Sequence, residues 1–121
     1  MFQKTVLVID DEPDICANIQ VLLETRGFRV VLARNGKEGI DKARAEAPHL
    51  ILLDVKLPVL SGFEVCRCLK EDPSTKNIPI MMLTAMDTLG DVEKSFTLGA
   101  DDYLSKPFDT ERLIEKVKKY L

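Results

Sequence analysis

Residues 50–54 constrain the fold more than any other stretch, because four consecutive large aliphatic residues lead into a single carboxylate, Asp54. A run this apolar is typical of a strand that is buried on both faces, and the charge marks where the strand leaves the core. In open parallel sheets the carboxyl ends of the strands line the ligand crevice, so Asp54 is a candidate for chemistry. The alternative is that Asp54 only ends its strand, since aspartate is common in turns.

Further strands and helices are predicted on both sides of this run. Three other apolar or β-branched runs are bounded by turn signals, namely residues 5–9, 28–33 and 78–83, and the short segment 101–104 is predicted as a fifth strand. The segments between them repeat apolar residues at helical spacing, as Ile15, Ile19 and Leu22 do. Five strands alternating with five helices predict an α/β fold with a mostly parallel sheet covered on both faces. Right-handed crossovers favour the flavodoxin-like strand order 2-1-3-4-5 in a three-layer sandwich.

The last two helices carry specific expectations about burial. The helix near residues 89–98 has mainly Val92 and Phe96 to bury, so we expect it to be loosely held. The final helix is expected to expose its lysines, Lys116, Lys118 and Lys119.

Length and charge exclude several classes of protein. The 121 residues are predicted to form one domain, residues 1–121, and the formal net charge of -3 argues against direct nucleic-acid binding. The sequence has no 18-residue apolar span and no secretion signal, so a cytoplasmic protein without membrane contact is the default expectation. Three cysteines at irregular spacing predict neither a disulfide framework nor a zinc site.

Polar residues follow four of the predicted strands. Strands 1 and 3 are neighbours in the predicted order, so Asp10, Asp11 and Asp54 should converge at one sheet edge. Three carboxylates in one crevice repel one another and call for a divalent cation, and oxygen ligands of this kind suit Mg²⁺. Thr84 and Lys106 reach the same edge. The three aspartates, Lys106 and a divalent ion would together be neutral and ready to accept an anion.

Each of these residues also has a simpler interpretation. Asp10 and Asp11 can cap a helix without any ligand, Thr84 can simply belong to its strand, and Lys106 can be a solvated turn residue. The functional interpretation is favoured because all five residues fall at the carboxyl ends of strands in one parallel sheet.

The chain resembles the receiver domain of bacterial two-component response regulators from residue 4 to residue 121. The resemblance is carried by six motifs in order: residues 8–12 (VIDDE), 53–58 (LDVKLP), 61–62 (SG), 83–85 (LTA), 99–103 (GADDY) and 106–108 (KPF). It implies a phosphoacceptor switch that receives its phosphoryl group from a sensor histidine kinase, a phosphotransfer protein or a small acyl phosphate. Such a domain catalyses only its own phosphorylation and dephosphorylation, and is not an enzyme in the usual sense.

The resemblance also implies a role for each residue of the site. Asp54 would be the phosphoacceptor, while Asp11 would bind Mg²⁺ directly and Asp10 through water. Asp54 and the backbone carbonyl of Lys56 would complete the protein ligands of the metal. Lys106 would pair with the phosphoryl group.

Other residues would transmit the signal. Thr84 would move to hydrogen-bond the phosphoryl group, Tyr103 would be the switch aromatic, and the peptide bond between Lys106 and Pro107 would be cis. The output surface would be helix 4, strand 5 and helix 5, which would contact an effector domain or partner. The domain would be a monomer or a dimer promoted by phosphorylation.

Three rival classes remain. A phosphatase of the haloacid-dehalogenase type would need a second aspartate where this chain has Lys56. A flavodoxin would need Gly, Ser or Thr in the loop after strand 1, which is acidic here. A phosphorylation-independent interaction module is the more serious rival, and it is disfavoured because all five site residues are present.

Overall fold

The computed structural model describes residues 3–85 and 89–121, apart from the side chains of Thr84, Leu89 and Asp91. Within these residues five strands alternate with five helices: β1 (Thr5–Ile9), α1 (Pro13–Glu24), β2 (Arg29–Ala33), α2 (Gly36–Glu46), β3 (Leu50–Asp54), α3 (Gly62–Glu71), β4 (Ile80–Thr84), α4 (Leu89–Thr97), β5 (Asp102–Ser105) and α5 (Thr110–Tyr120). The strands are parallel, in the order β2-β1-β3-β4-β5. The predicted α/β fold and strand order are therefore confirmed.

The central strand β3 is buried on both faces, as its aliphatic run predicts. Residues 50–53 have no solvent-exposed surface. Ile51 and Leu53 belong to one apolar cluster with residues of α2 and α3, and Leu50 and Leu52 belong to a second cluster with residues of α1 and α5. The alternation of side chains along the strand thus produces two cores, one on each face of the sheet.

Three strands begin later than the sequence predicts, and in β2 and β4 local hydrogen bonds use the first predicted residues. The amide of Phe28 donates to the carbonyl of Leu23 and closes α1, so β2 starts at Arg29. The amide of Ile78 donates to Thr75 in a turn, and β4 starts only at Ile80. β5 spans Asp102–Ser105, so it begins and ends one residue later than the predicted segment 101–104.

Two expectations about side-chain burial were wrong. Phe96 on α4 is 45% exposed and is not a core residue. Lys116 on α5 is half-buried, because its ammonium lies 2.8 Å from the buried carboxylate of Asp102 on β5. The position of a lysine on a helix surface does not reveal that a neighbouring strand supplies an acid.

All three cysteines lie in the described part of the chain and are free thiols. Among residues 3–85 and 89–121, none of the helices combines the length and the apolar character that crossing a bilayer requires.

Candidate functional site

The carboxyl ends of β1, β3 and β5 bring three predicted site residues into contact. Asp10 follows β1 and has no exposed surface, and Asp54 ends β3 and is 3% exposed. Both carboxylates are buried because the strands that carry them run through the centre of the sheet. Lys106 follows β5, and its side chain is 12% exposed. Two buried acids and one largely buried cation therefore share this edge.

Lys106 lies closer to Asp10 than to Asp54. Its Nζ atom donates to Asp10 Oδ2 at 2.7 Å, whereas Asp54 Oδ2 is 3.4 Å away. Glu12 Oε1 also accepts from the same ammonium, at 3.3 Å. Burial disfavours the charged ammonium, but the hydrogen bond to Asp10 and the surrounding carboxylates outweigh it and raise the pKa of Lys106. Lys106 therefore stays protonated at neutral pH.

Asp54 is held in an environment that resists its ionisation. Burial, together with the neighbouring negative charge of Asp10, raises the pKa of Asp54 from 3.8 to about 6. Lys106 and the backbone amide of Lys56, which donates to Asp54 Oδ1 at 3.2 Å, act in the opposite direction and only partly compensate. A second cation near Asp54 would favour the ionised form.

Four carboxylates form a cluster that fits a hard cation. Oxygens of Asp10, Asp11, Glu12 and Asp54 all lie within 4.8 Å of one another. Carboxylate oxygens are the ligands that Mg²⁺ prefers, and the exposed Asp11 leaves one side of the cluster open to water. Lys106 and a divalent ion together would neutralise the three aspartates. Because Glu12 adds a fourth carboxylate, the complete cluster would keep one net negative charge. The donor set therefore suits a divalent metal ion.

Sequence reasoning did not assign Glu12 to the site. Its position directly after the two aspartates was a signal, but the direction of a side chain in a loop follows no periodicity. In the structure the amide of Glu12 donates to Asp10 Oδ1 at 2.9 Å, and this turn brings its carboxylate toward Lys106.

The loop between β3 and α3 folds back onto the phosphoacceptor candidate. The amide of Gly62 donates to the carbonyl of Val55 at 2.8 Å. A Cβ atom at Gly62 would lie 2.1 Å from the carbonyl oxygen of Asp54, so only glycine permits this approach. Ser61 caps α3 by accepting from the amide of Glu64. Both ends of the loop are therefore fixed beside Asp54.

The remaining predicted residues lie on β4 and around β5. Thr84 ends β4 opposite Ser105, but its side chain lies outside the described part of the structure. The Tyr103 ring makes an edge contact with Phe96, with ring centroids 6.3 Å apart, and Lys116 lies 5.9 Å from its centre. The peptide bond between Lys106 and Pro107 is cis.

Comparison with known proteins identifies the class. The family model of the response regulator receiver domain matches residues 6–118, and the chain therefore belongs to this family. It is a receiver domain of two-component signalling.

Two curated relatives differ in how much of their length the chain spans. It is 44% identical over 118 residues to the alkaline phosphatase synthesis transcriptional regulatory protein PhoP of Bacillus subtilis, covering 98% of this chain and 48% of PhoP. It is 38% identical to the polar-differentiation response regulator DivK of Brucella anthropi, covering 98% of this chain and 96% of DivK. The chain thus spans about half of PhoP and nearly all of DivK.

Solved structures share the fold over almost the whole chain. The chemotaxis protein CheY4 of Vibrio cholerae matches with a TM-score of 0.94 and 30% identity, covering 99% of this chain and 100% of CheY4. The receiver domain of the sensor histidine kinase PA1611 of Pseudomonas aeruginosa matches with a TM-score of 0.89 and 30% identity, covering 98% of each chain. That structure holds a magnesium ion coordinated in its active-site cleft.

Proposed function

We propose that residues 1–121 act as a phosphoacceptor switch in which Asp54 receives a phosphoryl group from a protein phosphohistidine or a small acyl phosphate. The observation that carries the proposal is the pairing of a buried carboxylate with a protonated lysine, 3.4 Å apart, beside a cluster of metal-ligating acids. A carboxylate oxygen of Asp54 forms the new bond to phosphorus. From a phosphohistidine, the phosphorus–nitrogen bond breaks, its electron pair returns to the imidazole, and that nitrogen takes a proton. From an acyl phosphate, the phosphorus–oxygen bond to the acyl group breaks, and a carboxylate leaves with the electron pair.

The charges of the site are suited to this reaction. Because the pKa of Asp54 is about 6, its carboxylate is mostly ionised above pH 7 and needs no base to act as nucleophile. Phosphoryl transfer depends mainly on position and on stabilisation of the equatorial oxygens, which Lys106 can provide. Mg²⁺, when bound, would supply further positive charge there, with Asp10, Asp11, Asp54 and the carbonyl of Lys56 as its proposed ligands.

Phosphorylation would change the charge that Lys106 senses. A phosphoryl group carries about two negative charges in place of one, so Lys106 is expected to shift its contact from Asp10 toward Asp54. We propose that Thr84 moves toward the phosphoryl group and that Tyr103 responds with it. The exposed position of Phe96 and its edge contact with Tyr103 support α4, β5 and α5 as the surface that rearranges.

The proposed partners follow from this scheme. A sensor kinase or phosphotransfer protein would act upstream, and an effector domain or partner would read the α4–β5–α5 face without direct contact between this domain and nucleic acid. The domain would be a monomer, or a dimer promoted by phosphorylation.

Incubation with radiolabelled acetyl phosphate and Mg²⁺ tests the phosphoacceptor. The wild-type chain should take up close to one phosphoryl group, Asp54→Asn should take up none, and Asp41→Asn, an exposed acid on α2, should label as the wild type does. Unlabelled wild-type protein would instead favour a phosphorylation-independent interaction module, and equal labelling of Asp54→Asn would place the acceptor elsewhere.

A further inference from the structure

Val59 combines two unfavourable features in the loop after β3. Its side chain is fully exposed, at 105%, and its backbone has a φ of +67°. The amide of Leu60 donates to the carbonyl of Pro58 at 2.7 Å, so Val59 is the central residue of a tight γ-turn with positive φ. A β-branched residue is a rare outlier in this conformation, where glycine or asparagine would be comfortable. Neither the core nor the backbone explains a valine at this position.

The loop holds Val59 in this exposed position. Leu60 packs so closely against α2 that a Cβ atom at Gly36 would lie 3.0 Å from its Cδ2 atom. The far end of the loop is fixed at Gly62, against the backbone of Asp54. Val59 therefore projects from a short, anchored loop that begins and ends beside the proposed phosphoacceptor.

The surroundings of Val59 form a mainly apolar surface. Pro58, Val59 and Leu60 line a hollow of about 340 Å³ together with residues 35–37 of the α2 N-terminus. Lys37 on α2, an exposed lysine, is one of the residues that line this hollow. Any protein that brings a phosphohistidine to Asp54 has to cover the sheet edge that this loop borders, whereas a small acyl phosphate need not touch Val59.

We propose that Val59 is a specificity-determining contact for the protein phosphodonor, which would meet it with an apolar patch. This inference rests on the proposed function. It adds a surface that a protein phosphodonor would contact and that a small acyl phosphate would not. Contiguous exposed apolar surface, rather than a single apolar side chain, is typical of protein contacts, and Pro58, Val59 and Leu60 line one hollow. Burial of a valine side chain in such a contact is large enough to change the rate of transfer about tenfold.

Three forms of the chain test the proposal: wild type, Val59→Asn and Val59→Leu. Asparagine tolerates positive φ but removes the apolar surface, whereas leucine keeps that surface and removes only the β-branch. The donor is the phosphorylated kinase core that transfers fastest to the wild type among a panel of purified histidine kinases. Rates of transfer from this donor and from acetyl phosphate are measured separately, with Mg²⁺ present, and Tm is measured by circular dichroism.

We expect Val59→Asn to lower kcat/KM for the kinase about tenfold, to leave labelling by acetyl phosphate unchanged, and to raise Tm by about 3 °C. Val59→Leu should transfer at the wild-type rate. The proposal is overturned if Val59→Asn receives phosphate from the kinase as fast as the wild type, if both donors slow equally, or if Val59→Leu slows as much as Val59→Asn. A change in self-association by sedimentation, with kinase transfer intact, would assign the surface to a second copy of the chain instead. Failure of acetyl phosphate to label the wild type would refute the proposed function itself.

Discussion

Replacing Asp54 by asparagine should stabilise the metal-free protein at neutral pH, although it removes the proposed phosphoacceptor. The pKa of Asp54 is raised from 3.8 to about 6, chiefly by burial and by the charge of Asp10. A shift of this size corresponds to about 3 kcal/mol of unfavourable free energy for the ionised carboxylate in the folded state. Asparagine has nearly the same shape and carries no charge, so the variant should be about 2–3 kcal/mol more stable at pH 7.5.

The stability advantage of Asp54→Asn should increase with pH. Because the folded-state pKa is raised, proton binding stabilises the fold fully below pH 3.8, and this contribution is lost as pH rises through about 6. The advantage of Asp54→Asn should therefore fall to about 1 kcal/mol at pH 4.5, where the wild-type carboxyl is mostly protonated when folded. Urea unfolding followed by circular dichroism, with a chelator present, measures both differences.

Mg²⁺ and a surface acid provide the controls for this experiment. Saturating Mg²⁺ should narrow the difference at pH 7.5, because the metal stabilises the wild-type cluster more than the variant cluster. Asp41→Asn, which removes an exposed acid, should change stability by less than about 0.5 kcal/mol at either pH. If Asp54→Asn were no more stable than the wild type at pH 7.5, or if its advantage did not depend on pH, the charge of Asp54 would not be the cause of the difference.

Two further substitutions test the construction of the site. Lys106→Met should lower the free energy of unfolding by about 3–5 kcal/mol in urea at pH 7.5, because it leaves the fully buried Asp10 without its cation. Added Mg²⁺ should restore part of this loss. A variant as stable as the wild type without metal would contradict the prediction. Gly62→Ala should lower the free energy of unfolding by about 2 kcal/mol or more, because its Cβ atom would meet the backbone oxygen of Asp54. Gly36→Ala should lower it by less, because its Cβ atom would meet only side-chain atoms. The opposite order would be inconsistent with the loop geometry.

The fold was predictable because one strand is so strongly patterned. Four buried aliphatic residues in β3 define the centre of the sheet, and alternating strands and helices leave few topologies. The starts of β2 and β4 were less predictable, since they depend on hydrogen bonds that Phe28 and Ile78 make with preceding turns. Such bonds involve only backbone atoms and leave no pattern in the side chains.

The sequence predicted which residues meet at this edge of the sheet, but not the contacts among them. Strand order alone places Asp10, Asp54 and Lys106 at one edge, as the structure does. It does not determine that Lys106 contacts Asp10 at 2.7 Å and Asp54 only at 3.4 Å, because that depends on the path of a flexible side chain. Glu12 was missed for a similar reason, since a turn rather than a periodic element directs its carboxylate.

The ion pair between Asp10 and Lys106 also connects the completion of folding to the formation of the site. The two residues are 96 positions apart, and they follow strands that are not neighbours in the sheet. Asp10 is fully buried, so an intermediate in which β1 has docked but β5 has not would bury a carboxylate without its lysine. Such an intermediate is disfavoured, which makes folding more cooperative across the sheet. A chain emerging from the ribosome would acquire a complete site only after its last strand had joined the others.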